Sequence, residues 1–229
     1  LSLTAQVRFQ EIDLDGALKQ AASNGKIVFA QFVSATCEQC NEVADKAFSN
    51  LQLGNIVQEK CIAIKVETDA FFRGEFIEKY NTEESIGSFF ITADGDLIHR
   101  TKITSSNPKT YITDIETAYG KFVEGRLPLK ELDNLWAVTN NDFALMEMNL
   151  RRRTELQLPM DSLLEVYVSK LPKDSLASIR VLQFIAKQAP LLTSNASLLL
   201  RNDTTLFNRA WYDMQLKERV NINNRIILK

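Results

Sequence analysis

Residues 27–48 have the sequence IVFAQFVSATCEQCNEVADKAF, in which an apolar run precedes two cysteines spaced Cys-x-x-Cys. The run 27–33 is rich in Val, Ile and Phe and predicts a buried strand. After Cys40, apolar residues recur at helical spacing among charged ones, which predicts an amphipathic helix. The segment therefore predicts a strand followed by a helix, with Cys37 and Cys40 at the start of that helix.

This placement of the two cysteines suits dithiol chemistry. The N-terminal end of a helix presents unpaired amide hydrogens and a partial positive charge, and both stabilise a thiolate. A cysteine in such a position can have its pKa lowered from about 8.5 towards about 3.5–7.5. The spacing of three residues brings the second sulfur close enough to form a small disulfide ring.

The composition is that of an ordinary globular protein. The chain has 229 residues and a net charge of −2, which gives no general case for a nucleic-acid partner. No apolar run approaches the length of about 18 residues that a membrane span needs, so we predict none. Residues 1–124 carry 12 Lys and Arg against 18 Asp and Glu, whereas residues 125–229 carry 15 against 11. This asymmetry favours a domain boundary near residue 125.

The first residues, LSLTAQ, resemble the end of the apolar region of a signal peptide, with Thr4-Ala5 as a small-residue cleavage site. We interpret residues 1–8 as a signal-peptide remnant, or otherwise as a disordered terminus. On the first interpretation the protein is extracytoplasmic, either periplasmic or secreted.

The pattern over residues 9–124 predicts an α/β domain. Helices are predicted over 13–24, 53–59, 71–80 and 108–124, and strands over 27–33, 61–67, 88–92 and 97–101. Asp94-Gly95 between two apolar runs is a strong hairpin signal, and Asn107-Pro108 is typical of a helix start. A right-handed crossover makes the first two strands parallel neighbours, and the hairpin adds an antiparallel pair. The economical arrangement is a mixed central sheet flanked by helices.

This order of elements resembles the thioredoxin superfamily. The resemblance rests on Cys-x-x-Cys after a strand, on GKIVF at 25–29 and KAFSN at 46–50, and on Tyr80-Asn81 ahead of the hairpin. It looks closest to the thioredoxin-like domains of exported bacterial proteins and to the soluble thiol domain of membrane disulfide reductases. It implies a thiol–disulfide oxidoreductase acting on protein disulfides, whose redox partner is a membrane disulfide reductase or another thioredoxin-like protein. We expect Cys37, as the more exposed residue, to attack, and Cys40, deeper in the helix, to resolve the mixed disulfide.

Three positions depart from the family pattern. Thr36 stands where the family usually has an aromatic residue, and Gln31 stands where many members have a buried carboxylate that assists proton transfer to the resolving cysteine. Ile86 takes the place of the family's cis-proline. A cis bond before a non-proline residue costs about 2.5–4 kcal/mol, so we expect a trans bond there. Ile86 and Gly87 therefore mark a substrate-facing loop that differs from the parent family.

Glu38 and Gln39 separate the two cysteines, and no Lys, Arg or His lies within the motif. The negative charge of Glu38 opposes thiolate formation, so we predict a moderately reducing couple rather than a strong oxidant. The alternative is a degenerate thioredoxin-like protein-binding module with a structural disulfide. The changes at positions 31, 36 and 86 motivate that alternative.

The third cysteine and the only histidine are interpreted as structural. Cys61 heads a strand pattern, and a free cysteine in a strand is usually a small buried hydrophobe; a sensor thiol is the alternative. A zinc site would need Cys37, Cys40, Cys61 and His99 to converge as Cys3His. In a thioredoxin-like layout His99 lies across the sheet, so we predict no metal and no cofactor beyond a redox-active disulfide.

Residues 125–229 are predicted to form an all-α region. Helices are predicted over 129–138, 142–153, 162–171, 175–188 and 203–220. Paired helices joined by short loops are similar to tetratricopeptide-type arrays, which bind proteins or peptides; a plain helical bundle is the alternative. We therefore expect a protein partner for this region. Arg151-Arg152-Arg153 lies at a predicted helix C-terminus, where positive charge complements the helix dipole; an anion site is the alternative.

Overall fold

The computed structural model of the chain describes residues 6–33, 37–67, 76, 78–80, 87–139 and 142–227. The chain divides into two compact units, one comprising Leu1–Glu131 with Leu156–Leu158 and the other Leu132–Glu155 with Pro159–Lys229. Our division of the chain stays a prediction; it has a terminus at 1–8 and two domains at 9–124 and 125–229.

Within the described residues, the first unit contains a four-stranded mixed sheet. Its strands are β1 (Ile27–Val33), β2 (Cys61–Glu67), β3 (Ser88–Ile91) and β4 (Leu97–Thr101), in the spatial order β2-β1-β3-β4. β1 runs parallel to β2 and antiparallel to β3, and β4 runs antiparallel to β3. The predicted α/β, thioredoxin-like fold class is therefore confirmed.

Helices pack against this sheet, and capping residues in the local sequence mark where they begin. They are α1 (Leu14–Asn24), α2 (Glu38–Phe48), α3 (Leu51–Lys60) and α4 (Pro108–Val123). Oδ1 of Asp13 accepts a hydrogen bond from the Gly16 amide at 2.7 Å and so caps α1. The predicted helix over 71–80 is confirmed at Phe76 and 78–80, and its other residues lie outside the described ranges.

Alternate residues of β1 face opposite sides of the sheet. Phe29 belongs to a core formed with residues of α2, α3 and α4, whereas Ala30 belongs to a second core formed with residues of α1. Gln31 has the same parity as Phe29. Its side chain therefore points towards the side of the sheet that α2 covers.

The described part of the second unit is helical. Its helices, counted from the one that crosses the boundary, are α5 (Leu129–Val138), α6 (Phe143–Glu155), α7 (Asp161–Lys170), the 3-10 helix Lys173–Ala177, α8 (Ile179–Lys187), α9 (Asn195–Asn202), α10 (Thr204–Asp213) and α11 (Leu216–Ile227). The predicted single helix over 203–220 is wrong, because Met214 is buried in an extended conformation that separates α10 from α11. α9 was not predicted, and a tetratricopeptide-like repeat stays a prediction. No helix in the described part of the chain is long and apolar enough to cross a membrane.

Candidate redox site

Cys37 and Cys40 form a disulfide at the N-terminus of α2, with their Cα atoms 5.3 Å apart. Cys37 is the N-cap residue, and its carbonyl oxygen accepts hydrogen bonds from the amides of Cys40 at 3.0 Å and Asn41 at 3.3 Å. The Cys40 amide also donates towards Sγ of Cys37 at 3.3 Å. Because this sulfur receives an amide hydrogen and the positive end of the helix dipole, the site favours a thiolate on Cys37 in the reduced protein.

The two cysteines differ in exposure, in the opposite sense to our expectation. Cys40 is exposed, together with Glu38 and Gln39, whereas Cys37 is only partly exposed. The reason is that the first turn of α2 lies at the surface and the helix first becomes buried at Ala44. Thiolate stabilisation at the N-cap, and not exposure, is therefore what favours Cys37 as the attacking residue.

Gln31 is buried in β1 on the side of the disulfide and is 2% exposed. Its Oε1 accepts a hydrogen bond from Oγ of Ser88 at 2.7 Å, and its Nε2 donates to the carbonyl of Phe32 at 3.0 Å. The antiparallel register places Ser88 directly opposite Gln31. Both ends of the amide are therefore held inside the sheet, and a neutral amide cannot take a proton from a cysteine as a carboxylate would.

A small pocket of about 80 Å³ lies beside the disulfide. Its lining combines the disulfide with two amides, apolar and small residues, a hydroxyl and one ion pair, namely Gln31, Phe32, Val33, Cys37, Cys40, Asn41, Ala44, Asp45, Phe48, Lys65, Gly87 and Thr104. Nζ of Lys65 lies 3.2 Å from Oδ1 of Asp45. Sequence analysis missed this pair, because only the parallel pairing of the strands brings Lys65 beside Gln31.

Gly87 is the described part of the predicted substrate-facing loop. It has φ 89°, and a Cβ atom there would lie 1.9 Å from the carbonyl oxygen of Thr101. Its own carbonyl accepts a hydrogen bond from the amide of Phe32 at 3.0 Å. Only glycine fits this close approach of the backbone. Ile86 and Thr36 lie outside the described residues, so the trans bond before Ile86 stays a prediction.

Cys61 and His99 lie in structural environments. Cys61 is buried, and burial raises the pKa of its thiol to about 12, which keeps it protonated and unreactive near neutral pH. His99 in β4 stacks on Phe90 at 5.5 Å between ring centroids, and its Nε2 lies 2.9 Å from Oδ1 of Asp114. Among the residues that the structure describes, no group of three or more Cys, His, Asp or Glu side chains could hold a metal ion.

The predicted placement of the basic cluster at a helix C-terminus is confirmed. Arg152 and Arg153 lie in the last turn of the helix, as expected for charges that complement its dipole, but both are buried. Nη2 of Arg153 lies 2.8 Å from both carboxylate oxygens of Asp133, and its Nε donates to Asn149 at 3.0 Å. Arg153 therefore links α6 to α5, because a buried guanidinium needs a charged partner.

Comparisons with known proteins give similarities to solved structures at low TM-score. No protein-family model matches the chain, and no curated protein matches it significantly. Among solved structures, a proposed disulphide isomerase from Bacteroides thetaiotaomicron is similar at TM-score 0.42 and 18% identity, over 53% of this chain and 97% of that one. A thioredoxin from Thermus thermophilus is similar at TM-score 0.42 and 17% identity, over 48% of this chain and 85% of that one. A disulphide isomerase from Xylella fastidiosa Temecula1 is similar at TM-score 0.35 and 17% identity, over 52% and 95%. The thioredoxin-like fold of this chain rests on its own sheet order and on the disulfide at the start of α2.

Proposed function

We propose that this chain is a thiol–disulfide oxidoreductase that acts on protein disulfides through Cys37 and Cys40. The observation that carries the proposal is the disulfide between the N-cap and first-turn residues of α2, with the Cys40 amide directed at Sγ of Cys37. The exposed first turn leaves this disulfide accessible to a protein substrate. We propose no cofactor other than the disulfide itself.

The reaction proceeds in two exchange steps. In the reduced protein, the thiolate of Cys37 attacks one sulfur of a substrate disulfide. A mixed disulfide forms, and the other substrate sulfur leaves as a thiolate. Cys40 then loses its proton and attacks Sγ of Cys37, which releases the second substrate sulfur and leaves the Cys37–Cys40 disulfide. Two electrons pass from the protein dithiol to the substrate disulfide.

The proposed setting is an extracytoplasmic compartment, either periplasmic or secreted. The Cys37–Cys40 disulfide supports it, since disulfides persist in oxidising compartments. A membrane disulfide reductase or another thioredoxin-like protein would return the disulfide to the dithiol. We propose a protein partner for the helical unit as well.

A second candidate function is a thioredoxin-like binding module whose disulfide is structural. The observation that favours it is the environment of Gln31. Its amide stands where many thioredoxin-like proteins have a carboxylate, and both ends of the amide are hydrogen-bonded, to Ser88 and to the carbonyl of Phe32. Without an acid–base group at that position, the disulfide could hold the start of α2 without exchanging.

Reduction of insulin disulfides distinguishes the two functions. Wild type, Cys37→Ser and Cys61→Ala are compared, because Cys61 is buried away from the proposed chemistry and serves as the matched control. The proposed function predicts turnover by wild type and Cys61→Ala and its loss in Cys37→Ser. Turnover that Cys37→Ser leaves unchanged would favour the binding module.

A further inference from the structure

We propose that Asp45 accepts the proton of Cys40 in the second exchange step, and that Lys65 positions Asp45 for this role. The inference deepens the proposed function and rests on it. It assigns the acid–base chemistry of the site to a carboxylate on α2, in place of a group on β1.

In the second step Cys40 has to give up a proton, and among the described residues the hydrogen bond to a cysteine sulfur stabilises Cys37 instead. Cys40 must therefore lose a proton when it attacks the mixed disulfide. Gln31 cannot take that proton, since it is a neutral amide with both ends hydrogen-bonded.

The residues that line the pocket beside the disulfide indicate which group accepts the proton of Cys40. Among its described lining residues, the titratable groups are Cys37, Cys40, Asp45 and Lys65, and the rest of the lining is amide, apolar, hydroxyl or glycine. A lysine ammonium has only donors, whereas an ionised carboxylate has only acceptors. Among these lining residues, Asp45 is therefore the one whose side chain can accept the proton of Cys40.

The proton reaches Asp45 through the pocket. A volume of about 80 Å³ has room for water, since one molecule occupies about 30 Å³ in the liquid. The S–H bond of Cys40 breaks, its proton passes through water to Asp45, and its electron pair forms the bond to Sγ of Cys37. The bond between Cys37 and the substrate breaks at the same time, and the substrate leaves as a thiolate. The Asp45 side chain is 55% exposed, so it returns the proton to solvent before the next turnover.

Lys65 fixes the carboxylate in this place. Its Nζ lies 3.2 Å from Oδ1 of Asp45 and 5.2 Å from the ring centroid of Phe9. The register of β1 and β2 places Lys65 opposite Gln31, on the strand next to the buried amide. Because both partners of the ion pair are substantially exposed, the pair adds little to stability, and variants at these positions are expected to fold.

A stopped-flow reaction of the reduced protein with dithiobis(nitrobenzoate) tests the inference. Each of the two exchange steps releases one coloured nitrothiobenzoate, and Cys40→Ser marks the first step by stopping after it. General base catalysis is typically worth about 10²–10⁴-fold, so we expect Asp45→Asn to slow the second release at least about tenfold at neutral pH. The first release should stay the same or become faster, because a negative charge near Cys37 has been removed.

The pH profile and the matched controls separate this role from a structural one. The deficit of Asp45→Asn should shrink as the pH rises and hydroxide replaces the carboxylate as base. Asp45→Glu should restore the second release in large part, and Lys65→Met should slow it less than Asp45→Asn does. Glu42→Gln removes an exposed charge on the same helix outside the pocket, and it should slow neither step.

The outcomes distinguish the inference from the function on which it rests. If wild type completes both releases and Asp45→Asn has an unchanged second step, or if Glu42→Gln slows that step equally, the role of Asp45 is overturned while the oxidoreductase remains. If wild type gives no release that depends on Cys37, the proposed function itself fails.

Discussion

The backbone amide of Cys40 is directed at Sγ of Cys37 over 3.3 Å, although Cys40 is the more exposed of the two residues. Exposure and thiolate stabilisation therefore favour different cysteines as the reactive one. Because disulfide exchange depends on the thiolate, the amide and the helix dipole should determine that Cys37 is the reactive cysteine.

Selective alkylation of the reduced protein tests this relationship. At a pH of about 6, iodoacetamide should modify Cys37 at least about tenfold faster than Cys40, since a helix N-terminus lowers a cysteine pKa by a unit or more. Peptide mass spectrometry on a time course gives both rates. Modification of Cys40 first would show that exposure governs reactivity and would reverse the proposed roles.

Removing the hydroxyl that holds Gln31 should destabilise the first unit. Ser88→Ala leaves the buried Oε1 of Gln31 without its 2.7 Å hydrogen bond, and an unsatisfied buried acceptor costs about 1–3 kcal/mol. Urea denaturation followed by circular dichroism measures the free energy of unfolding. Ser23→Ala is the matched control, because the Ser23 hydroxyl is exposed and donates to the carbonyl of Lys19 within α1; equal stability of the two variants would contradict the prediction.

Local signals in the sequence were enough to predict most of the elements of the first unit. Asp13 and Gly25 bound α1, Asn107 caps α4, and Gly95 with φ 83° turns the hairpin. Each of these features depends on residues within a few positions along the chain. Such short-range constraints can be recognised without knowing how the chain packs.

Long-range pairing explains what the sequence did not predict. Gln31 meets Ser88 only because β1 pairs with β3, and Lys65 meets Asp45 only because β2 lies beside β1 under α2. Cys40 is exposed because the packing of α2 leaves its first turn at the surface. These relationships depend on tertiary packing and leave no periodic signal in the sequence.

Gly87 and Gly120 differ in whether the structure tolerates a side chain at the position. Gly87→Ala would place Cβ 1.9 Å from the carbonyl oxygen of Thr101 at a φ of 89°, so we expect a loss on the order of 3 kcal/mol or more. Gly120 lies within α4, where, among the described residues, no atom beyond the adjacent residues and the nearby helix backbone comes within 4 Å of the position that a Cβ would take, so Gly120→Ala should stabilise by about 0.5–1 kcal/mol. Thermal unfolding of both variants measures the difference. A wild-type melting temperature for Gly87→Ala would contradict this account of the loop.

The second unit should lose stability in acid through Glu147. Burial opposes ionisation of this carboxyl, but hydrogen bonds from Arg180 at 2.8 and 2.9 Å and from Tyr167 at 2.9 Å outweigh it and hold its pKa below the ordinary value of 4.5. Because the folded pKa is the lower one, this stabilisation is present above pH 4.5 and is lost as the pH falls through the folded pKa.

Urea denaturation as a function of pH measures this contribution. Glu147→Gln should cost about 2 kcal/mol at neutral pH and should flatten the loss of stability in acid. Asp174→Asn, at an exposed position in the 3-10 helix of the second unit, should change the stability by less than about 0.5 kcal/mol. An acid profile of Glu147→Gln that superimposes on that of wild type would exclude Glu147 as the group responsible.

A glutathione redox titration of the purified protein, with the Cys37–Cys40 state followed by thiol labelling, tests the central claim most directly. Glu38 lies between the cysteines and no basic residue lies within the motif, so the thiolate is only moderately stabilised. We predict a reversible two-electron couple with a potential closer to the about −270 mV of thioredoxin than to the about −120 mV of a strongly oxidising disulfide donor. A disulfide that resists reduction throughout the titration would contradict the account and would leave a binding module with a structural disulfide.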